Sequence, residues 1–292
     1  MLEQFILNGV ITGAIYALIA VGFSLIYKTV RFFHFAHGAV YLCGAFIAYS
    51  LSVSFGVNLI FSFILASFLS GLIGIVINRF IYMPLRLRNS PGLVLLIGSF
   101  GIIMFTQNFL QLLYGAQVLS IRTSPVKEGH KILGMVITDV QILLIAASCL
   151  LLGILWLSVD RTKIGKAIRA VADDPVGASV VGINPEEFIA YSFGIGSALA
   201  GMAGVLISFE TNIEPTMGMN AILKGIIAAI IGGIGSIPGA VLGGYFLGIV
   251  ENLGIWKVQA GWKDTIAFAV LIIFLLMRPE GLLGKRNNTE RL

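Results

Sequence analysis

Long apolar stretches alternate with short polar connections along most of the chain. A helix needs about 20 apolar residues to cross a bilayer. Six stretches reach that length: Phe5–Tyr27, Phe32–Val53, Asn58–Met83, Pro91–Tyr114, Val140–Val159 and Phe188–Glu210. The pattern therefore predicts an all-α, polytopic transmembrane bundle, with residues 1–292 forming a single integral membrane domain.

The last third of the chain is apolar but interrupted. Residues 221–254 contain the run GGIGSIPG at 232–239, in which glycines resist helix and Pro238 removes a hydrogen bond. We expect two short helices that meet at a turn, either as two crossings or as a re-entrant pair. With a final short segment, Asp264–Met277, the prediction is about nine spans, within limits of seven to ten.

The basic residues indicate the orientation of the chain. Counted over alternate connections, thirteen lie on one side and five on the other, and the basic side is the cytosolic one. The first set is Lys28, Arg31, Arg79, Arg86, Arg88, Arg161, Lys163, Lys166, Arg169, Arg278, Lys285, Arg286 and Arg291; the second is Arg122, Lys127, Lys131, Lys257 and Lys263. The N-terminus is therefore predicted outside and the C-terminus in the cytosol.

Composition excludes several classes of protein. Charged residues make up 11% of the chain and hydrophobic ones 58%, which argues against a water-soluble enzyme, since soluble domains carry about 25% charged residues. The basic residues never form the long run typical of nucleic-acid binding. Two cysteines in apolar runs predict neither a disulfide framework nor a cysteine metal cluster. We expect no cofactor and no metal.

The longest charged stretch, residues 160–187, lies on the predicted cytosolic side. Ile164, Ala167, Ile168 and Val171 fall at i, i+3, i+4 and i+7, which predicts an amphipathic helix. Asp174–Pro175 starts a second short helix, and Gly182 ends it. The small residues of the two helices, Ala170, Ala172, Ala178 and Ser179, favour docking against another protein. A surface helix on lipid headgroups is the alternative.

Small residues spaced by four predict close helix contacts. They occur at Gly9/Gly13, Gly196/Ala200/Gly204, Gly235/Gly239/Gly243 and Gly244/Gly248. Contact within one bundle is the main interpretation, and lining a narrow path or touching a second subunit are the alternatives.

Polar residues within spans are candidates for function. His34 and His37 share a helical face. We expect them to line a path or stabilise a helix break, or else to pack at the interface. A metal site is the least favoured alternative. Gln107 and Asn108 bond across helices or offer amides to a solute. Lys224 is expected to pair with Glu210 or Glu251, and Glu214 is a candidate contact for a solute-binding protein.

Four segments carry a resemblance to a known family. They are GAIYALIAVGFSLIYKTVRFFHFAHGAVYLCGAF (13–46), GKAIRAVADDPVGASVVGIN (165–184), IIGGIGSIPGAVLGGYFLGIVE (230–251) and RPEGLLG (278–284). Nearly end to end, the chain resembles the permease subunits of ATP-binding-cassette importers for branched-chain amino acids. His34 stands where members of that family commonly have Asn.

The resemblance implies partners and site residues. The partners are two ATP-binding subunits, a second, similar permease subunit and an extracytoplasmic solute-binding protein, in a prokaryotic inner membrane. The implied coupling residues are Gly165, Lys166, Ala167, Arg169, Ala170, Asp173, Asp174, Pro175, Ala178 and Gly182. The stretch 35–38 resembles a family signature near the translocation path. The candidate path residues are His34, His37, Gly38, Gln107, Asn108, Gly235 and Ser236.

The resulting prediction is a permease that moves leucine, isoleucine or valine inward by alternating access, driven by separate ATPases. The chain has no Gly-x-x-x-x-Gly-Lys-Ser/Thr motif and no Ser/His, Asp/Asp or His-Glu-x-x-His constellation, so it is not expected to be an enzyme itself. Import of urea, short amides or another small polar solute is an alternative. A channel or secondary carrier that works without ATP is another, because carriers also use broken helices.

Overall fold

A computed structural model describes residues 2–121, 129–132 and 134–284. Within these residues the chain forms α1 Leu2–Val30, α2 Ala36–Tyr49, α3 Leu59–Ile77, α4 Met83–Leu87, α5 Gly92–Tyr114, α6 Asp139–Arg161, α7 Lys163–Asp173, α8 Pro175–Val180, α9 Pro185–Glu210, α10 Met217–Gly232, α11 Ile237–Gly254 and α12 Lys263–Met277. A π-helical turn, Ser50–Ser54, extends α2, and another, Asn78–Tyr82, joins α3 to α4. A 3₁₀ turn, Ala260–Trp262, precedes α12. The all-α prediction is confirmed.

The strands of the described residues form one small antiparallel pair. β1 (His130–Ile132) pairs antiparallel with β2 (Met135–Ile137), with His130 opposite Ile137. Five of the basic residues used for the orientation, Arg122, Lys127, Lys285, Arg286 and Arg291, lie outside the described residues.

Six helical segments of the described chain are long and apolar enough to cross a membrane, or seven if α10 and α11 count as one bent span. They are Leu2–Val30, Ala36–Ser54, Leu59–Leu87, Gly92–Tyr114, Asp139–Arg161 and Pro185–Glu210. The predicted nine spans counted α10, α11 and the 15-residue α12 separately, so that number is approximate.

Helix α1 lies at the centre of the bundle, and α11 runs antiparallel along it. A Cβ at Gly248 would come within 2.5 Å of the Gly13 Cα, and a Cβ at Gly9 would come within 2.7 Å of the Ile249 Cα. Elsewhere on α1, a Cβ at Gly196 of α9 would lie 2.7 Å from the Gly22 carbonyl oxygen. The small-residue patterns therefore serve helix contacts within the bundle, as their main interpretation predicted.

The break between α10 and α11 is a glycine turn with a 116° bend. Gly233 and Gly235 have φ angles of 106° and 82°, a region that suits glycine. The Ser236 hydroxyl caps α11 by accepting from the Gly239 amide at 3.2 Å. The predicted turn at 232–239 is confirmed.

The segment that follows α12 closes this turn. The amide of Leu282 donates to the Ile231 carbonyl at 2.8 Å, and the amide of Leu283 donates to the Gly232 carbonyl at 2.9 Å. Helix ends leave carbonyls without partners, and here two of them are satisfied by residues 282–283. The sequence segments 230–251 and 278–284 are thus in direct contact.

The α10–α11 pair reaches far along α1. Its turn lies beside Lys28, whereas Asn252 of α11 donates to the Thr12 hydroxyl at 3.4 Å. Thr12 and Lys28 are sixteen residues apart on one helix, about 24 Å at about 1.5 Å per residue. That distance is most of the thickness of the hydrocarbon core, which is about 30 Å.

Candidate functional site

The segment 160–187 forms two short helices, α7 and α8, at one end of the bundle, here called the coupling end. Asp174 caps α8 by accepting from the Val176 amide at 3.0 Å, and Pro175 follows at the first turn. Gly182 has a φ of 84° after the end of α8. These local predictions are confirmed, because capping and left-handed glycine depend on neighbours in sequence.

The inward face of the two helices differs from the predicted one. Of the predicted stripe, Ala167, Ile168 and Val171 are buried, but Ile164 is 48% exposed. Ala172 and Ala178 of the small-residue face also point inward. The most exposed apolar side chains of the two helices are instead Val176, Val180 and Val181, which are 73–83% exposed and are here called the valine face.

The ten predicted coupling residues divide between these surfaces. Gly165, Ala167 and Ala178 are buried, and Ala170 and Arg169 are half-buried. The exposed members are Lys166, Asp173, Asp174, Pro175 and Gly182. Several of them therefore hold the segment in place, and their role in coupling stays a prediction.

Arg169 and Arg31 tie α7 to the rest of the bundle. The Arg169 guanidinium donates to the carbonyls of Val159 and Asp160 at the end of α6, where carbonyls lack helical partners. Arg31 donates to the Ala172 carbonyl at 3.3 Å. Because Arg31 begins the α1–α2 connection, this hydrogen bond links α7 to residues 31–35.

His34 lies in that connection and His37 in the first turn of α2, and both are fully buried. His34 Nδ1 lies 3.0 Å from the Tyr82 hydroxyl, and the His37 ring lies against Gly22. Among the described residues, His34 Nε2 has no hydrogen-bond partner, and the His37 ring lies beside the backbone of Ile19. Gly38 lies in a close contact with the Gly218 carbonyl of α10.

The other candidate path residues lie elsewhere. Asn108 is exposed and donates to its own helix, to the Met104 carbonyl at 2.7 Å, and Gln107 is half-buried on the same peripheral helix, α5. Gly235 and Ser236 belong to the α10–α11 turn near Lys28. The seven residues thus occupy three separate places, and a shared path through them stays a prediction.

A cavity of about 530 Å³ opens at the opposite end of the bundle, here called the cavity end. Its volume is typical of ligand pockets, which measure roughly 300–1,000 Å³. The residues that line it are Asn8, Ile11, Thr12, Ile15, Tyr16, Ile19, Tyr41, Gln141, Ile207, Glu210, Thr211, Glu214, Thr216, Met217, Asn220, Ala221, Lys224, Asn252, Lys263 and Asp264. None of the seven candidate path residues is among them.

A charge cluster centred on the buried Lys224 forms part of the cavity wall. The Lys224 ammonium lies 2.6 Å from Glu251 Oε1 and 2.9 Å from Asp264 Oδ1. The other Glu251 oxygen accepts from the Tyr16 hydroxyl at 2.9 Å. The predicted pairing of Lys224 with Glu251 is confirmed. Since an ion pair at membrane depth pays a desolvation penalty, the cluster marks a candidate functional site.

The polar face of α1 was missed in the sequence. Asn8, Thr12 and Tyr16 are spaced by four residues within an otherwise apolar span, and all three line the cavity. That spacing places them on one face of a helix, which is the signal that could have identified them.

Comparisons with known proteins agree with this architecture. The family model described as "Branched-chain amino acid transport system / permease component" matches residues 5–275. The permease protein BraD of a high-affinity branched-chain amino acid transport system in Pseudomonas aeruginosa is 38% identical, over 97% of this chain and 95% of BraD. LivH of Salmonella typhimurium, described in the same words, is 35% identical over 98% of each chain.

A solved structure shares the fold. A chain of PsaBC from Streptococcus pneumoniae, in complex with Fab, superposes with a TM-score of 0.54 at 13% identity, covering 95% of this chain and 93% of that one. With the family match over residues 5–275 and several apolar helices long enough to span a bilayer, these findings establish that the chain is a multi-pass inner-membrane protein belonging to the family of branched-chain amino acid transport permeases.

Proposed function

We propose that the chain is the membrane-spanning subunit of an ATP-binding-cassette importer that moves branched-chain amino acids inward by alternating access. Two separate ATP-binding subunits supply the energy, a second, similar permease subunit completes the pathway, and an extracytoplasmic protein delivers the solute. The single observation that carries the proposal is family membership over nearly the whole chain.

The coupling end supports a role for ATPase partners. The valine face projects apolar side chains into solvent, and exposed apolar patches mark surfaces that bind other proteins. Because Arg31 and Arg169 fasten α7 to α1 and α6, force on this face reaches the core helices. We infer that the valine face docks on an ATP-binding subunit and that the coupling end is cytosolic.

The cavity end supports the same orientation. It lies at the opposite end of α1 and presents Glu210, Glu214 and Asp264, which suits the delivery of a solute that carries an ammonium group. The N-terminus of α1 is then outside, in agreement with the distribution of basic residues.

Reconstitution tests the proposal. The chain is expressed with the ATP-binding, permease and solute-binding subunits of the same cell and placed in liposomes with ATP on the cytosolic side. We expect leucine uptake that requires ATP and all partners. Val176→Asp with Val180→Asp should abolish ATP-driven uptake and release the ATP-binding subunits, because each substitution places a charge in an apolar contact.

Val118→Asp is the matched control, since Val118 is 55% exposed and follows α5 at the cavity end. It should leave ATPase attachment unchanged. Leucine flux without ATP would favour a channel or carrier and overturn the proposal, and uptake of urea in preference to leucine would overturn the solute class.

A further inference from the structure

The face of α1 that lines the cavity carries two parallel strips of different chemistry. Ile11, Ile15 and Ile19 form an apolar strip, and Asn8, Thr12 and Tyr16 form a polar strip beside it. Both strips follow a spacing of four residues, so they run side by side along the helix. A solute with one apolar and one polar side can contact both at once.

Lys224 is held by two carboxylates of very different exposure. The Glu251 side chain is fully buried, whereas the Asp264 side chain is 68% exposed. Tyr16 fixes the second oxygen of Glu251. Glu251 thus keeps the ammonium at the cavity wall, and the Asp264 position is open to exchange with a carboxylate from solution.

Acidic groups surround this lysine. Glu210 and Glu214 line the same cavity, and Gln141 donates to Glu210 Oε1 at 2.8 Å and orients that carboxylate. Lys263 also lines the cavity, so the described residues place two cations, Lys224 and Lys263, against the carboxylates of Glu214, Glu251 and Asp264 even before Glu210 is counted. The excess of negative charge attracts a cationic group into the cavity.

We propose that this cavity is a solute-binding site of the permease itself and takes a zwitterionic α-amino acid with an apolar side chain. The solute carboxylate replaces Asp264 on Lys224, and its ammonium lies between the released Asp264 and Glu210. Its alkyl group lies on the strip Ile11, Ile15 and Ile19. The choice of an amino acid as the solute rests on the proposed function. The geometry adds the position at which the chain binds this solute.

The first experiment varies the solute. The assembled transporter, without its solute-binding protein, is placed in nanodiscs and titrated with L-leucine, leucinamide or 4-methylpentanoic acid, with saturation-transfer NMR as the readout. We expect leucine to bind at least about tenfold more tightly than either analogue, because each lacks one charge-assisted contact. Equal dissociation constants for the three probes, or no binding of leucine by the wild-type chain, would overturn the proposal.

The second experiment varies the site. Lys224→Gln combined with Glu251→Gln keeps a hydrogen-bonding pair without a buried charge, so the bundle can still fold. We expect leucine to bind at least about tenfold more weakly and leucinamide to be little affected. Ala221→Phe should block binding by filling the cavity, while Ala146→Phe, which adds the same bulk at an exposed position of α6, should not.

The two proposals fail in different ways. Leucine binding that survives both Ala221→Phe and the double variant, in a transporter whose uptake still requires ATP, overturns the site and leaves the proposed function intact. Leucine flux that needs no ATP overturns the proposed function even where Lys224 governs binding.

Discussion

Helices α1 and α6 have similar apolar composition but opposite places in the bundle. The mean hydropathy of an 18-residue apolar stretch is 2.1 in α1 and 2.6 in α6. Yet 83% of that stretch is buried in α1, against 22% in α6. The glycines differ accordingly: Gly13 touches the backbone of α11, whereas a Cβ at Gly153 of α6 would meet nothing within 4 Å. Hydropathy alone therefore identifies a span but not its neighbours.

The strongest test of this contrast compares an ion pair packed against α1 with one at the end of α6, since Glu251, the partner of Lys224, accepts a hydrogen bond from Tyr16 of α1. Lys224→Met leaves Glu251 with no exposed surface and without its cation, and we expect a loss of about 3–5 kcal/mol of folding free energy. Arg161→Met is the control, because Arg161 and its partner Asp160 are 76% and 51% exposed and should contribute at most about 1 kcal/mol. Unfolding by SDS in mixed micelles measures both, and equal losses would contradict the contrast.

A smaller effect is expected at the α1–α11 crossing. Gly248→Ala places a Cβ 2.5 Å from Gly13 Cα and from the Gly9 carbonyl oxygen, so the helices must separate, at a cost of about 1–3 kcal/mol. The melting temperature in detergent should fall. A Gly248→Ala variant as stable as wild type would show that the two helices are not in close contact.

The smallest effect, with the opposite sign, is expected at the periphery. A Cβ at Gly101 of α5 or at Gly153 of α6 has open space around it, and alanine favours helix over glycine by about 0.5–1 kcal/mol. Gly101→Ala and Gly153→Ala should therefore leave the melting temperature unchanged or raise it slightly. A drop comparable to that of Gly248→Ala would mean that a second subunit contacts these positions closely.

Two local signals in the sequence gave correct predictions. Asp174 caps α8 through a side-chain oxygen, as predicted, because a cap depends on residues within three positions of it. The turn at 232–239 was found for the same reason. The contact of this turn with residues 282–283 was not predicted, since it joins segments about fifty residues apart in the sequence.

Which face of a helix turns inward was harder to predict. Ile164 fits the apolar periodicity of α7 but is exposed, because the contact with α1 and α6 uses a face centred on Ala167, Ile168 and Val171. Likewise, Asn108 is polar within a span but lies on the outside of the bundle. Periodicity defines a stripe, whereas burial depends on the neighbouring helix.

The pairing of α1 with α11 also has a consequence for synthesis at the ribosome. Gly9 and Gly13 meet residues of α11 that follow more than 230 positions later. Helix α1 thus enters the membrane long before its partner exists and must wait there with its glycine face and its polar strip unpaired. The central helix of the bundle is therefore among the first to be synthesised and among the last to complete its contacts.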